Sequence, residues 1–93
     1  MKMRIYELPA TKQKSFYGKA KVLEANGEIS LQSYSTIMLT VKDGEVVEFS
    51  RHEWNYSATT MKHVNAFLEV NGLPTTNIAK VRMSLENGEW YDE

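Results

Sequence analysis

The stretch from Trp54 to Gly72 constrains this chain more than any other, because it reads as one amphipathic helix with both ends marked. Ser57 is a good N-cap, since its hydroxyl can accept from the backbone N–H of Thr59 or Thr60. Tyr56 and Met61 stand at hydrophobic-staple spacing around it. Thr60, Met61, Val64, Phe67, Leu68 and Asn71 share one stripe, with Lys62, Ala66 and Glu69 opposite. Asn71-Gly72 ends the helix and Pro74 prevents its continuation. A single helix of this kind needs an apolar surface to cover, and two turn signals upstream supply one.

Asn26-Gly27 marks a two-residue hairpin loop, because both central positions of such a loop need positive φ. That loop sets Val22 opposite Leu31, Ala20 opposite Ser33 and Gly18 opposite Ser35. Asp43-Gly44 marks the next hairpin. A two-residue loop there would oppose Leu39 to Glu48, mixing apolar and charged side chains on one face. A three-residue loop, Lys42-Asp43-Gly44, instead sets Val41 opposite Glu45, Leu39 opposite Val47 and Ile37 opposite Phe49, and side-chain alternation favours it. One face then collects Phe16, Ala20, Val22, Ile29, Leu31, Ile37, Leu39, Val41, Val47 and Phe49. The small residues Gly18, Ser33 and Ser35 lie midway, where a helix can approach closely. The middle strand runs from about Glu28 to Lys42.

The expected fold is therefore α+β: a three-stranded antiparallel meander packed against one amphipathic helix, with a short C-terminal helix or strand. In that last segment Ala79, Val81, Met83 and Leu85 alternate as in a strand, while Ile78, Val81 and Leu85 also fit a helix. Thr75-Thr76-Asn77 offers caps and Asn87-Gly88 a stop. Met3 to Leu8 reads as a short strand ended by Pro9. A chain of 93 residues is expected to form one domain, 1–93, with its core in 15–73 and flanking segments 1–14 and 74–93.

Charge is unevenly placed. Residues 1–22 hold six basic residues against Glu7, a balance of +5, and the rest holds five basic against eleven acidic, a balance of −6. A solvated dipolar surface explains this; a basic patch meeting an anion or an acidic partner is the sharper reading. There are no cysteines, which excludes disulfides, thiolate metal sites and a cysteine nucleophile. The opening residues lack the apolar run of a signal peptide and no stretch approaches a membrane span, so the expected setting is cytoplasmic, away from membranes. Asn55-Tyr56-Ser57 matches a glycosylation sequon by chance.

Catalytic patterns are absent from the sequence. Nothing resembles a nucleophile elbow, a phosphate-binding glycine loop or a dinucleotide fingerprint. His52 beside Glu53, with His63 eleven residues on, is too weak a spacing for a metal site. No catalytic residue, metal or cofactor is implied, and His63 reads as a boundary residue of the helix stripe. Two surfaces remain as candidates. The helix start carries Thr59, Thr60, Lys62 and His63 and no acid, which suits an anion or a partner. The outer sheet face carries Tyr17, Lys19, Lys21 and Tyr34, with Leu23, Gln32, Met38 and Val46. Aromatics interleaved with lysines can hold single-stranded nucleic acid, anchor a protein partner, or lie under another segment and bind nothing.

Phe16 to Val22, Leu31 to Thr36 and Tyr56 to Leu68 together resemble a small uncharacterised domain family associated with phages, plasmids and conjugative elements of gut and Gram-positive bacteria. The resemblance spans roughly residues 15–73, and the Ser57-Ala58-Thr59-Thr60-Met61-Lys62-His63 run is its most specific part. A Gly-Trp pair belongs before the family's helix, where this chain has Glu53-Trp54-Asn55. The resemblance implies no activity and no site residue. It implies a small accessory protein in a bacterial or phage-infected cytosol. Together with the surfaces above, this leads to a non-enzymatic protein that binds a host or phage protein, with nucleic-acid binding as the alternative and self-association open.

Overall fold

A computed structural model describes residues 3–8, 19–51, 54 and 58–91. Five strands form one antiparallel sheet in chain order: β1 (Arg4–Glu7), β2 (Ala20–Ala25), β3 (Glu28–Ser33), β4 (Thr36–Lys42) and β5 (Glu45–Phe49). Two helices follow, α1 (Ala58–Val70) and α2 (Ile78–Asn87). The class is α+β as expected, but the sheet has five strands rather than three. β1 adds itself beside β2, and the expected long middle strand is two strands.

The first hairpin has the derived register, with Val22 opposite Leu31 and Ala20 opposite Ser33. The Gly18–Ser35 pairing lies outside the described residues. The run from Glu28 to Lys42 breaks at Tyr34-Ser35, and β3 pairs with β4 around that turn. A strand of that length would span about 50 Å, more than the 33 Å longest extent of the molecule. Met38 is an extra residue in the ladder, because Leu31 faces Leu39 while Gln32 faces Ile37. This bulge resets the alternation. Ile37, expected inside, is 43% exposed, and Met38, expected outside, is 1% exposed.

The second hairpin corrects the three-residue loop. Lys42 faces Glu45 and Val41 faces Val46, so the loop is Asp43-Gly44 alone, with φ of 53° and 77°. The conflict that had argued against this loop is removed by a second bulge. Val47 becomes the extra residue, and Leu39 meets Phe49 instead of Glu48. Val47 is accordingly exposed, and Val46 packs against the core.

The central row of the inner face is Tyr6, Val22, Leu31, Leu39 and Phe49. Val64, Phe67 and Leu68 of α1 are fully buried in the same cluster. Each such side chain contributes about 1.5–3 kcal/mol. The helix ends as its sequence indicates: Leu73 N donates to Leu68 O (2.8 Å), Gly72 N donates to Glu69 O (3.0 Å), and Gly72 takes φ 72°. The proposed cap and staple at Ser57 and Tyr56 lie outside the described residues. Asn65 then fastens the following loop. Its amide donates to Thr76 O (3.1 Å), and its carbonyl accepts from Thr76 N (2.7 Å).

The ambiguous last segment is helical. Asn77 caps α2 by accepting from Lys80 N, and Gly88 closes it at φ 78°. Val81 and Ser84 face inward. Ser84 Oγ donates to Lys80 O (3.0 Å) and accepts from Tyr91 N (2.8 Å), which folds the tail back. Trp90 then meets Phe49 and Trp54, with ring centroids 5.4 and 6.2 Å away. Among the described residues, no helix is long and apolar enough to cross a membrane.

Candidate functional site

The two surfaces marked in the sequence meet at one place, the turn between β3 and β4 where it touches α1. His63 is wholly buried, not a boundary residue. Its Nδ1 lies 2.8 Å from Ser33 Oγ, at the end of β3. Ser33 is a small residue on the inner face, and its size lets the helix approach, as its position had suggested. Its hydroxyl also gives the buried ring a polar partner, which a buried imidazole requires. Burial, and then the charge of Lys19, push the His63 imidazole below its ordinary pKa. The ring is therefore held neutral.

Tyr34 covers His63 from outside, with ring centroids 5.7 Å apart and planes tilted by 46°. Its backbone sits at φ 57°, in the left-handed region. Three restraints hold it there. Its N–H donates to Lys19 O (2.7 Å), its carbonyl accepts from Gln32 Nε2 (3.0 Å), and its ring rests on His63. Even so, Tyr34 remains 53% exposed. The left-handed backbone at Tyr34, still bonded to Lys19 beside β2, sets its ring against His63 of α1.

Lys19, Tyr34 and His63 are thus brought together, with Ser33 between strand and helix. Thr60 is buried, Thr59 is half-buried and Lys62 is exposed along the first turns of α1. Lys21 stays in the sheet, half-buried between Glu7 and Gln32. Tyr17, His52 and Glu53 lie outside the described residues. The register sets Glu7, Glu28, Glu45 and Glu48 on the same outer face as Lys21 and Lys42, so acids outnumber bases there among the described residues.

Ser33 and His63 have the spacing of a nucleophile and its base, but both are buried, at 3% and 0% exposure. No substrate carbonyl can reach that hydroxyl, so the pair acts as a packing hydrogen bond. Among the described residues, no three His, Cys, Asp or Glu side chains group as metal ligands would.

Ser33 was noted in the sequence for its size and not as a partner of His63. The signal that could have joined them is strand length. A middle strand too long for the domain must turn somewhere, and a turn after Ser33 brings it to the helix start.

Fold and junction together define a small α+β domain in which a β-meander is covered by a helix and braced at one hairpin turn. The chain belongs to DUF8033, a family of unknown function, whose model matches residues 3–84. The match takes in β1 and most of α2, beyond the 15–73 span of the resemblance noted above. No curated protein and no solved structure matches the chain.

Proposed function

We propose that this chain is a non-enzymatic accessory protein of the phage or mobile-element type, that it acts by binding a host or phage protein, and that Tyr34 is its anchor. One observation carries the reading: a half-exposed tyrosine occupies a left-handed backbone position, over a buried histidine. A non-glycine residue there costs about 1–2 kcal/mol. The two neighbouring hairpins avoid much of that cost with Gly27 and Gly44. Strain kept at an exposed position points to use of the side chain rather than to folding. Tyrosine is also a residue that binding hot spots favour, and here the ring is held in place before any partner arrives. Lys19 beside the junction suits a partner whose aromatic-accepting pocket has acidic surroundings.

The outer sheet face, where acids outnumber bases among the described residues, gives less support to the nucleic-acid alternative. The test is a photo-crosslinking residue at position 34 in the producing bacterium or infected host, followed by identification of what is captured. A Tyr34→Gly variant run in parallel separates binding from folding. The expected result is one dominant protein adduct, with copurification of that protein lost in Tyr34→Gly while thermal stability is kept. Retention of single-stranded DNA at low salt, abolished by Lys19→Glu, would instead favour the alternative. Unchanged copurification by Tyr34→Gly would remove Tyr34 from the binding surface.

A further inference from the structure

Among the described residues the sheet is open, and its two edges differ. β5 carries a bulge and the charged residues Glu45 and Glu48, features that discourage further pairing. β1 runs beside β2 in unbroken register over its four residues, and among the described residues it pairs with β2 alone. Met3 and Ile5 are each 59% exposed.

Backbone direction along β1 can be read from one bond. Leu8 N donates to Ala20 O (3.0 Å). In an antiparallel ladder the amide and carbonyl of one residue point to the same side, and the side alternates along the strand. Residues 4, 6 and 8 therefore direct these groups toward β2. Met3 and Ile5 direct theirs away from it, along the open edge.

We propose that β1 is a self-association edge: two copies of this chain pair antiparallel through it about a two-fold axis at Ile5. The occupant follows from register. With Ile5 opposite Ile5 of the second copy, the outward amides and carbonyls of both exchange two hydrogen bonds. Arg4 then faces the second copy's Tyr6, a contact it already makes within its own strand at 5.3 Å. Met3 faces the second copy's Glu7. No like charges oppose each other. A slip of two residues one way sets Arg4 against Arg4, and a slip the other way sets Ile5 against Glu7. A slip of one residue pairs outward backbone groups with inward ones. On the outer face, Ile5 and its ladder neighbour Leu23 meet the same two side chains of the second copy, joining two small apolar spots into one row. A strand this short makes a modest interface, so association depends on concentration.

Three measurements on the full chain test this. Sedimentation from low to high micromolar concentration should show the 10.7 kDa chain doubling its mass. The chain has no cysteine, so Ile5→Cys introduces a sole thiol. A short bismaleimide should link it into a covalent dimer, whereas Val47→Cys on the opposite edge should stay monomeric. Ile5→Pro removes an N–H that β2 does not use, so the fold should persist while association weakens roughly tenfold to a hundredfold. Ile5→Lys, which sets two cations face to face, repeats the test without a proline. A monomer at every concentration overturns the proposal. So does equal linking through Val47→Cys, or a dimer that survives both Ile5 variants.

Discussion

The chain reverses direction three times between β2 and β5, and the three turns are built in two ways. Asn26-Gly27 and Asp43-Gly44 place both central residues at positive φ, from 53° to 77°. Their glycines adopt that geometry without a Cβ penalty. At Tyr34-Ser35 only the first residue is left-handed, and it is a tyrosine. The outer turns are closed by their own residues. The middle turn is held by one neighbour, Gln32, and by two groups distant in sequence: Lys19 and, thirty residues beyond Ser33, His63. A turn that specifies itself can stand alone, whereas a turn imposed by tertiary contacts is available to carry a side chain that local geometry disfavours.

The largest expected effect attacks the support of the middle turn. His63→Ala removes a fully buried ring and strands the Ser33 hydroxyl, so unfolding should show a loss of about 3 kcal/mol. A loss below about 1 kcal/mol in a urea titration would mean that the turn does not depend on the helix. Next come the self-specified turns. An added Cβ at Gly27 or Gly44 meets no atom within 4 Å, so any penalty is conformational. Gly27→Ala and Gly44→Ala should each cost about 1–2 kcal/mol, and equal stability to the parent would contradict the account of those hairpins.

A smaller effect depends on pH. The folded His63 has a lowered pKa, so at pH below its ordinary value near 6.5 the unfolded chain takes up a proton that the folded one resists. Its contribution to stability is thus complete above that pH and is lost as pH falls toward the depressed folded value, with a slope no steeper than about 1.4 kcal/mol per pH unit. His63→Gln should flatten that part of the stability–pH curve, and an unaltered curve would assign the dependence to other groups. The smallest effect is Tyr34→Gly. Relief of the backbone and loss of the ring contact oppose each other, each at about 1 kcal/mol, so stability should change by less than about 1 kcal/mol. A drop of several kcal/mol would show that Tyr34 serves folding and would remove the reason for reading it as an anchor.

Much of the frame was legible because it rests on local rules. The Asn26-Gly27 register, the end of α1 at Gly72 and the cap of α2 at Asn77 each depend on residues within a few positions of one another. Two things were hidden. Ser33-Tyr34-Ser35-Thr36 has no Gly, Pro, Asn or Asp to announce a turn, its serines are only weak turn formers, and tyrosine and threonine favour strands. The bulges at Met38 and Val47 carry no glycine either, yet they exchange the inside and outside assignments of Ile37 and Met38 and rescue a two-residue loop that simple alternation had rejected. His63, a polar residue on an apolar stripe, looked like an edge residue because its partner lies across the fold.

The sequence alone determined the α+β class, the positions of two of the three hairpin turns, the first hairpin's register and the apolar stripe of α1, since turn chemistry and periodicity act over short spans. The third turn, both bulges, the burial of His63 and the resulting meeting of Lys19, Tyr34 and α1 were decided only in the tertiary structure. They satisfy a condition no local window contains: one sheet, short enough for the domain, must fit one helix and give the buried His63 ring a polar partner in Ser33.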